Sequence, residues 1–142
     1  MNSINIFLHF SGECEAAFFF YQTVFGGELT NLQRYREMPG GDKMNLVDQE
    51  KIIHTSLTLS PGVTLMGSDV LVTKAGLTIG NNYHVCIQAE TKKEADRIFD
   101  KLSEEGRIEM PMNDTFWGDY FGMGQDKFGV FWMVNFSTNT KY

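Results

Sequence analysis

Residues 113 to 136 read NDTFWGDYFGMGQDKFGVFWMVNF, the most aromatic stretch of the chain, and its pattern is that of a β-hairpin. Tyr120 to Gln125 and Val130 to Phe136 have the aromatic and β-branched content of strands. Asp126-Lys127-Phe128-Gly129 between them supplies turn formers, with glycine where positive φ is needed. Val130, Phe131, Trp132, Met133, Val134 and Phe136 are apolar on both alternating faces, so the second strand is expected to be covered on both sides. One face must then meet something other than water: a second layer of the fold, a partner chain or a small molecule, and that choice is the functional question.

The rest of the chain repeats this architecture. With an offset of 79 positions, Ile4, Ile6 and Leu8 fall on Tyr83, Val85 and Ile87, while Glu15, Ala16, Phe20 and Gly27 fall on Glu94, Ala95, Phe99 and Gly106. Residues 4 to 10 alternate as a half-buried strand, and a helical run from Glu13 to Val24 ends at Gly26-Gly27. Residues 82 to 89 repeat the strand. The helix after them opens with Thr91 as N-cap and Glu94 three positions on, a capping box, and carries Ala95, Ile98, Phe99 and Leu102 as one apolar stripe. Leu29 to Arg36 is a strand, Glu37 to Gln49 a polar loop suited to a mobile lid, and Ile52 to Leu59 with Val63 to Ser68 a hairpin turned at Ser60-Pro61-Gly62. Arg107 to Met112 precedes the aromatic hairpin. With an offset of 67, Gly62-Val63-Thr64-Leu65-Met66 lies on Gly129-Val130-Phe131-Trp132-Met133. The expected fold is therefore α+β: two tandem βαβββ modules, residues 1–68 and 82–142, joined by a linker over 69–81. Two such modules form cupped mixed sheets with helices outside, within one chain or across a dimer.

Composition narrows the partners. A chain of 142 residues with 42% hydrophobic content suffices for one domain with a core. A net charge of −6 argues against nucleic acid or an anionic membrane, which need clustered Lys and Arg. The first residues, MNSINIFLHF, lack the features of a signal peptide or transmembrane segment, so the expected location is the cytoplasm. Cys14 and Cys86 show no metal-type or CxxC spacing and are expected to be free, buried thiols. No GxSxG, GxxxxGK[ST] or GxGxxG motif is present, which sets aside hydrolase, kinase and dinucleotide chemistry.

Two βαβββ modules, the run FLHFSGECEAAFFFYQTVFGGEL, the LMGSD after the first hairpin and MPMNDTFWGDYFGMGQDKFGVFWMVNF together resemble the vicinal oxygen chelate superfamily, and within it the PhnB-like branch grouped with glyoxalase and bleomycin-resistance proteins. The resemblance spans the chain and implies a usually dimeric protein. It is weak for reaction, because the superfamily includes metal-dependent isomerases and dioxygenases, thiol transferases and metal-free antibiotic-binding proteins. Enzymatic members hold a divalent metal on inward-facing side chains of the first and last strands of each module. Matched to that pattern, the four places here read Asn5, Met66, His84 and Met133. A catalytic site wants at least three His or carboxylate donors, so no metal or other cofactor is expected from this set. A non-standard trio of His9, His54 and His84 is the alternative, with the face of His54 left open.

Strand parity places Ile4, Ile6, Leu8 and Phe10 under the first helix and Asn5, Phe7 and His9 toward the cavity. It likewise places Val85 and Ile87 under the second helix and His84, Cys86 and Gln88 toward the cavity. His84 reads as a hydrogen-bonded cavity residue or as a group recognising a ligand's acidic or carbonyl function. Met66 and Met133 read as adaptable core or as the wall of an apolar pocket. Trp117, Tyr120 and Phe121 serve packing, a dimer seam or the stacking of a planar ligand. Cys86, two residues from His84, invites comparison with an activated thiolate, although cysteine beside aromatics is usually inert. The expected ligand-binding set is Asn5, Phe7, His9, Met66, His84, Trp117, Tyr120, Phe131 and Met133, taking a small hydrophobic or aromatic molecule in a homodimer. The competing expectation is a metal-dependent lyase, isomerase or dioxygenase with an unorthodox ligand set.

Overall fold

A computed structural model describes residues 1–71 and 76–137, and the chain divides into two compact units after Thr78. In the first unit the order is β1 (Ile6–Phe10), α1 (Cys14–Phe25), β2 (Glu28–Arg34), α2 (Leu46–Gln49), β3 (Ile52–Ser60) and β4 (Val63–Asp69). The second unit contains β5 (Val85–Gln88), α3 (Lys92–Ser103), β6 (Arg107–Asp114), β7 (Asp119–Gln125) and β8 (Phe131–Ser137). Each unit has one four-stranded sheet, in the orders β1-β4-β3-β2 and β5-β8-β7-β6, with one parallel pair and the other neighbours antiparallel. This is the α+β arrangement of tandem βαβββ modules that the duplication implies. Of the stretch read as a linker, Asp69 closes β4, and residues 72–75 lie outside the described residues.

The duplication extends to register. Ile6 pairs with Leu65 and Phe7 with Met66 in the first sheet, while Val85 pairs with Trp132 and Cys86 with Met133 in the second. These are the same pairs moved by the two sequence offsets. The glycines that follow the helices are matched as closely. A Cβ on Gly27 would lie 2.4 Å from the carbonyl oxygen of Thr58, and one on Gly106 would lie 2.3 Å from that of Gln125. Gly27 and Gly106 are duplicates, as are Thr58 and Gln125, so both modules turn from helix to strand against the backbone of the same strand. Only a residue without a side chain fits there.

In the first unit Leu8 and Phe10, Leu65 and Leu57 form the core with Phe18, Tyr21 and Val24 of α1. Gly67 admits the Phe18 ring, which a Cβ at that position would meet at 2.4 Å. Ile4 and Ile6, read as belonging under the helix, are 81% and 39% exposed. Pairing with β4 begins only at Ile6, so no neighbouring strand holds Ile4 in the layer. In the second unit Ala95, Ile98, Phe99 and Leu102 of α3 are buried, as are Val85, Trp132 and Val134 of the sheet. Thr91 caps α3 by accepting from the Glu94 N–H at 3.0 Å. The Glu94 carboxylate reaches one residue further back than a capping box requires, to the Glu90 N–H.

The segment read as a polar loop is built from two 3₁₀ turns, Tyr35–Glu37 and Gly41–Lys43, and the short α2. Asn45 caps α2, Gln49 donates to the carbonyls of Met44 and Asp42, and Lys51 pairs with Asp48 at 2.9 Å. These local bonds give the stretch its own structure rather than that of an unsupported flap. Beneath it, Asp69 is 1% exposed and its carboxylate accepts the backbone N–H groups of Gly12, Cys14 and Ile52 at 2.8 to 3.0 Å. That one side chain ties the β1–α1 turn, the start of β3 and the end of β4.

Candidate functional site

Alternation along each strand leaves one face of each sheet turned away from its helix, and cross-strand register sorts the residues there into rows. In the first unit one row runs Phe7, Met66, Ser56, Thr30, and the next His9, Ser68, with Gln33 opposite His54. His54, whose side could not be read from the hairpin, stands on the same face as His9. The Phe7 ring contacts both, its centroid 5.0 Å from that of His9 and 5.8 Å from that of His54. Each imidazole also meets a serine: His9 Nδ1 and Ser68 Oγ are 3.4 Å apart, His54 Nε2 and Ser56 Oγ 3.3 Å.

In the second unit the rows are richer in sulfur. Cys86, Met133, Met123 and Met110 stand side by side on the four strands. One row on, Phe131, Gln125 and Arg107 line up, and His84, just before β5, sets its ring 5.7 Å from that of Phe131. On the other flank Asn135 donates to Gln88, which donates to Cys86 Sγ. Cys86 is exposed, not buried as expected. Partial burial nevertheless pushes its thiol pKa above the ordinary value, against the opposing effect of the Gln88 hydrogen bond, so the activated-thiolate reading has no support.

His84 Nε2 lies 2.8 Å from Glu109 Oε1, with the two side chains 20% and 24% exposed. Glu109 is the extra residue of a β-bulge: Ile108 pairs with Gly124 and Met110 with Met123, two steps on β6 against one on β7. The bulge sets Glu109 and Met110 beside Arg107, where a regular strand would alternate them. The sequence reading missed Glu109, Met110 and Met123. Arg107 and Glu109 share a parity that could have been noticed; the bulge has no mark in RIEMPM.

Of the expected binding residues, Phe7, His9 and Met66 gather on the first unit's face, and His84, Phe131 and Met133 on the second's. Asn5 does not join them. It precedes β1, is exposed, and its amide donates to Ser3 Oγ at 3.1 Å. Tyr120 lies on the opposite, helix-covered side, where its hydroxyl donates to Asp96 of α3 and its ring faces Lys92 at 4.4 Å. The Asp96 hydrogen bond, with some burial, pushes its pKa up to about 12. Parity explains the difference, because Tyr120 is in step with Gly122 and Gly124 while Phe121 is in step with Met123. Trp117 sits in the turn before β7, 46% exposed, its indole N–H donating to Asp119 and its ring 5.8 Å from that of Phe121.

The divalent metal that the resemblance implies would need at least three His or carboxylate donors. Among the described residues no three His, Cys, Asp or Glu side chains group as a metal site would need. At the matched places stand two thioethers, soft donors, and an amide outside its strand, and His84 turns Nε2 to a carboxylate. The set does not fit a divalent ion that polarises oxygen. No described helix is long and apolar enough to cross a membrane.

Comparisons with known proteins agree with the geometry. The family model of the Glyoxalase/Bleomycin resistance protein/Dioxygenase superfamily matches residues 3–134. Protein YjdN of Escherichia coli (strain K12) is 31% identical over 134 residues, covering 91% of each chain. The crystal structure of protein PA1353 from Pseudomonas aeruginosa superposes with a TM-score of 0.84 at 32% identity, covering 95% of this chain and 97% of that one. A PhnB protein from Bacillus cereus gives a TM-score of 0.78 at 30% identity over 94% and 98% of the two chains.

Proposed function

The chain belongs to the Glyoxalase/Bleomycin resistance protein/Dioxygenase superfamily, and we propose that within it the protein is a metal-independent binder of a small apolar or aromatic molecule, acting as a cytoplasmic homodimer. The observation that carries this reading is the row Cys86, Met133, Met123, Met110 beside Phe131 and His84 on the helix-free face of the second unit. Thioether side chains are flexible and polarizable, and a wall of them adapts to planar apolar surfaces of different outline. The first unit offers Met66 and the partly exposed ring of Phe7, flanked by two imidazoles. Binding is by burial and ring contact, with His9 and His84 orienting a polar group. The acidic balance of the chain, −6, disfavours nucleic acid and anionic membranes as partners.

Titration with Nile red, a neutral planar apolar dye, tests it. The expected result is saturable binding, weakened at least tenfold by Met133→Lys in protein whose circular dichroism is unchanged. Binding that ignores the substitution overturns the assignment of this face. A dimer is expected by light scattering.

A second reading, a metal-dependent lyase, isomerase or dioxygenase with an unorthodox donor set, draws on His9 and His54 sharing one face. Elemental analysis of protein purified without chelator separates the two. A stoichiometric Zn, Ni, Fe or Mn ion, lost on His84→Ala or His9→Ala, would replace the binder with a catalyst.

A further inference from the structure

The His84–Glu109 bond crosses the whole width of the second sheet. The strand order is β5-β8-β7-β6, with His84 leading into one outer strand and Glu109 on the other. A 2.8 Å contact between residues at the two outer strands brings both side chains in over the inner strands, next to the Phe131 ring. The bulge at Glu109 presents its carboxylate to that span.

The chemistry of the pair fixes what it can offer. A carboxylate only accepts, so Nε2 of His84 carries the hydrogen, and in the neutral ring Nδ1 is left as an acceptor. Nδ1 has no hydrogen-bond partner among the described residues and is not among the atoms sealed from solvent. The second oxygen of Glu109 is likewise an acceptor. A hydroxyl or N–H would meet an acceptor at either group.

We infer that Glu109 is a positioning residue that holds His84 as a hydrogen-bond acceptor, so that this face selects a planar apolar ligand bearing a hydroxyl or N–H donor over the same molecule without one. The inference rests on the small-molecule reading above and adds the ligand's polar group. A ligand lacking the donor leaves Nδ1 desolvated and unpaired, which is where hydrogen-bonding sites discriminate most.

The test compares 2-naphthol with 2-methoxynaphthalene by protein-observed ¹⁵N–¹H NMR titration, alongside long-range ¹⁵N spectra of the neutral His84 ring. Wild-type protein is expected to bind 2-naphthol roughly tenfold or more tightly than its methyl ether, a preference worth about one hydrogen bond. Glu109→Ala is expected to reduce the preference below threefold and to mix the His84 tautomers, while Glu109→Gln, which keeps an acceptor oxygen, restores both. His84→Ala abolishes the preference. Equal binding of the two naphthalenes by wild type, or a preference unchanged in Glu109→Ala, overturns the inference and leaves the binder reading standing. If neither compound binds, both fall.

Discussion

Gly106 lies so close to Gln125 that a Cβ on it would stand 2.3 Å from the Gln125 carbonyl oxygen, and a Cβ on its duplicate Gly27 would stand 2.4 Å from that of Thr58. The obstacle in both cases is backbone paired within a sheet, which cannot rotate aside. Gly106→Ala is therefore expected to destabilise the fold by about 1–3 kcal/mol, the usual range for overpacking. Gly80, whose Cβ would find only Asn82 Oδ1 at 3.6 Å, is the control. Urea unfolding of Gly80→Ala should fall within about 0.5 kcal/mol of wild type; equal losses at both sites would refute the steric account.

Asp69 accepts three backbone N–H groups from two separate segments while almost wholly buried. An amide in its place turns an NH₂ toward at least one of those donors. Asp69→Asn is expected to cost about 2–4 kcal/mol, and thermal unfolding would show it as a fall in Tm. A variant as stable as wild type would mean that the three bonds contribute little.

Tyr120 titrates differently in the folded and unfolded chain. The Asp96 hydrogen bond, with burial, raises its folded pKa to about 12, above the ordinary phenol value of about 10. A raised pKa means that the neutral phenol is favoured by folding. Its contribution is complete below the unfolded value and is lost as pH rises through the folded one. Stability of the wild type should therefore decline between about pH 10 and 12 more steeply than that of Tyr120→Phe. Parallel curves would remove the hydrogen bond from the account.

Cys86 is exposed, yet its thiol is held above its ordinary pKa, chiefly by partial burial and opposed by the Gln88 hydrogen bond. At neutral pH it should react with a disulfide reagent more slowly than a free cysteine, the rate climbing with pH as thiolate forms. Gln88→Ala removes the opposing effect and should slow it further at pH 7. Acceleration in that variant would reverse the assigned role of Gln88. Cys14, buried and held higher still by its surroundings, should react only on unfolding.

Much of this protein was legible as sequence because the duplicated modules keep their local patterns. Alternation and helical stripes identify strands and helices, and two matched offsets place Met66 on Met133 and Phe7 on Cys86, the pairs that meet across each parallel junction. Period-two alternation also puts Leu8 and Phe10 under α1 and Phe7 and His9 on the other side. The same logic failed where regularity stopped. Asn5 has the parity of a cavity residue but precedes a strand that begins at Ile6, and Tyr120 has the aromatic character of a ligand residue but is in step with the helix-facing glycines.

By itself, then, the sequence determined the two βαβββ units and most residues of the faces turned from the helices, since these follow from spacing along a few consecutive residues. Tertiary structure alone decided the side taken by His54, the extra residue that aims Glu109, and the meeting of His84 with Glu109 across four strands. Those depend on how distant strands are paired and where one of them bulges. Side chains brought together over 25 residues of chain leave no periodic trace in the order of the letters.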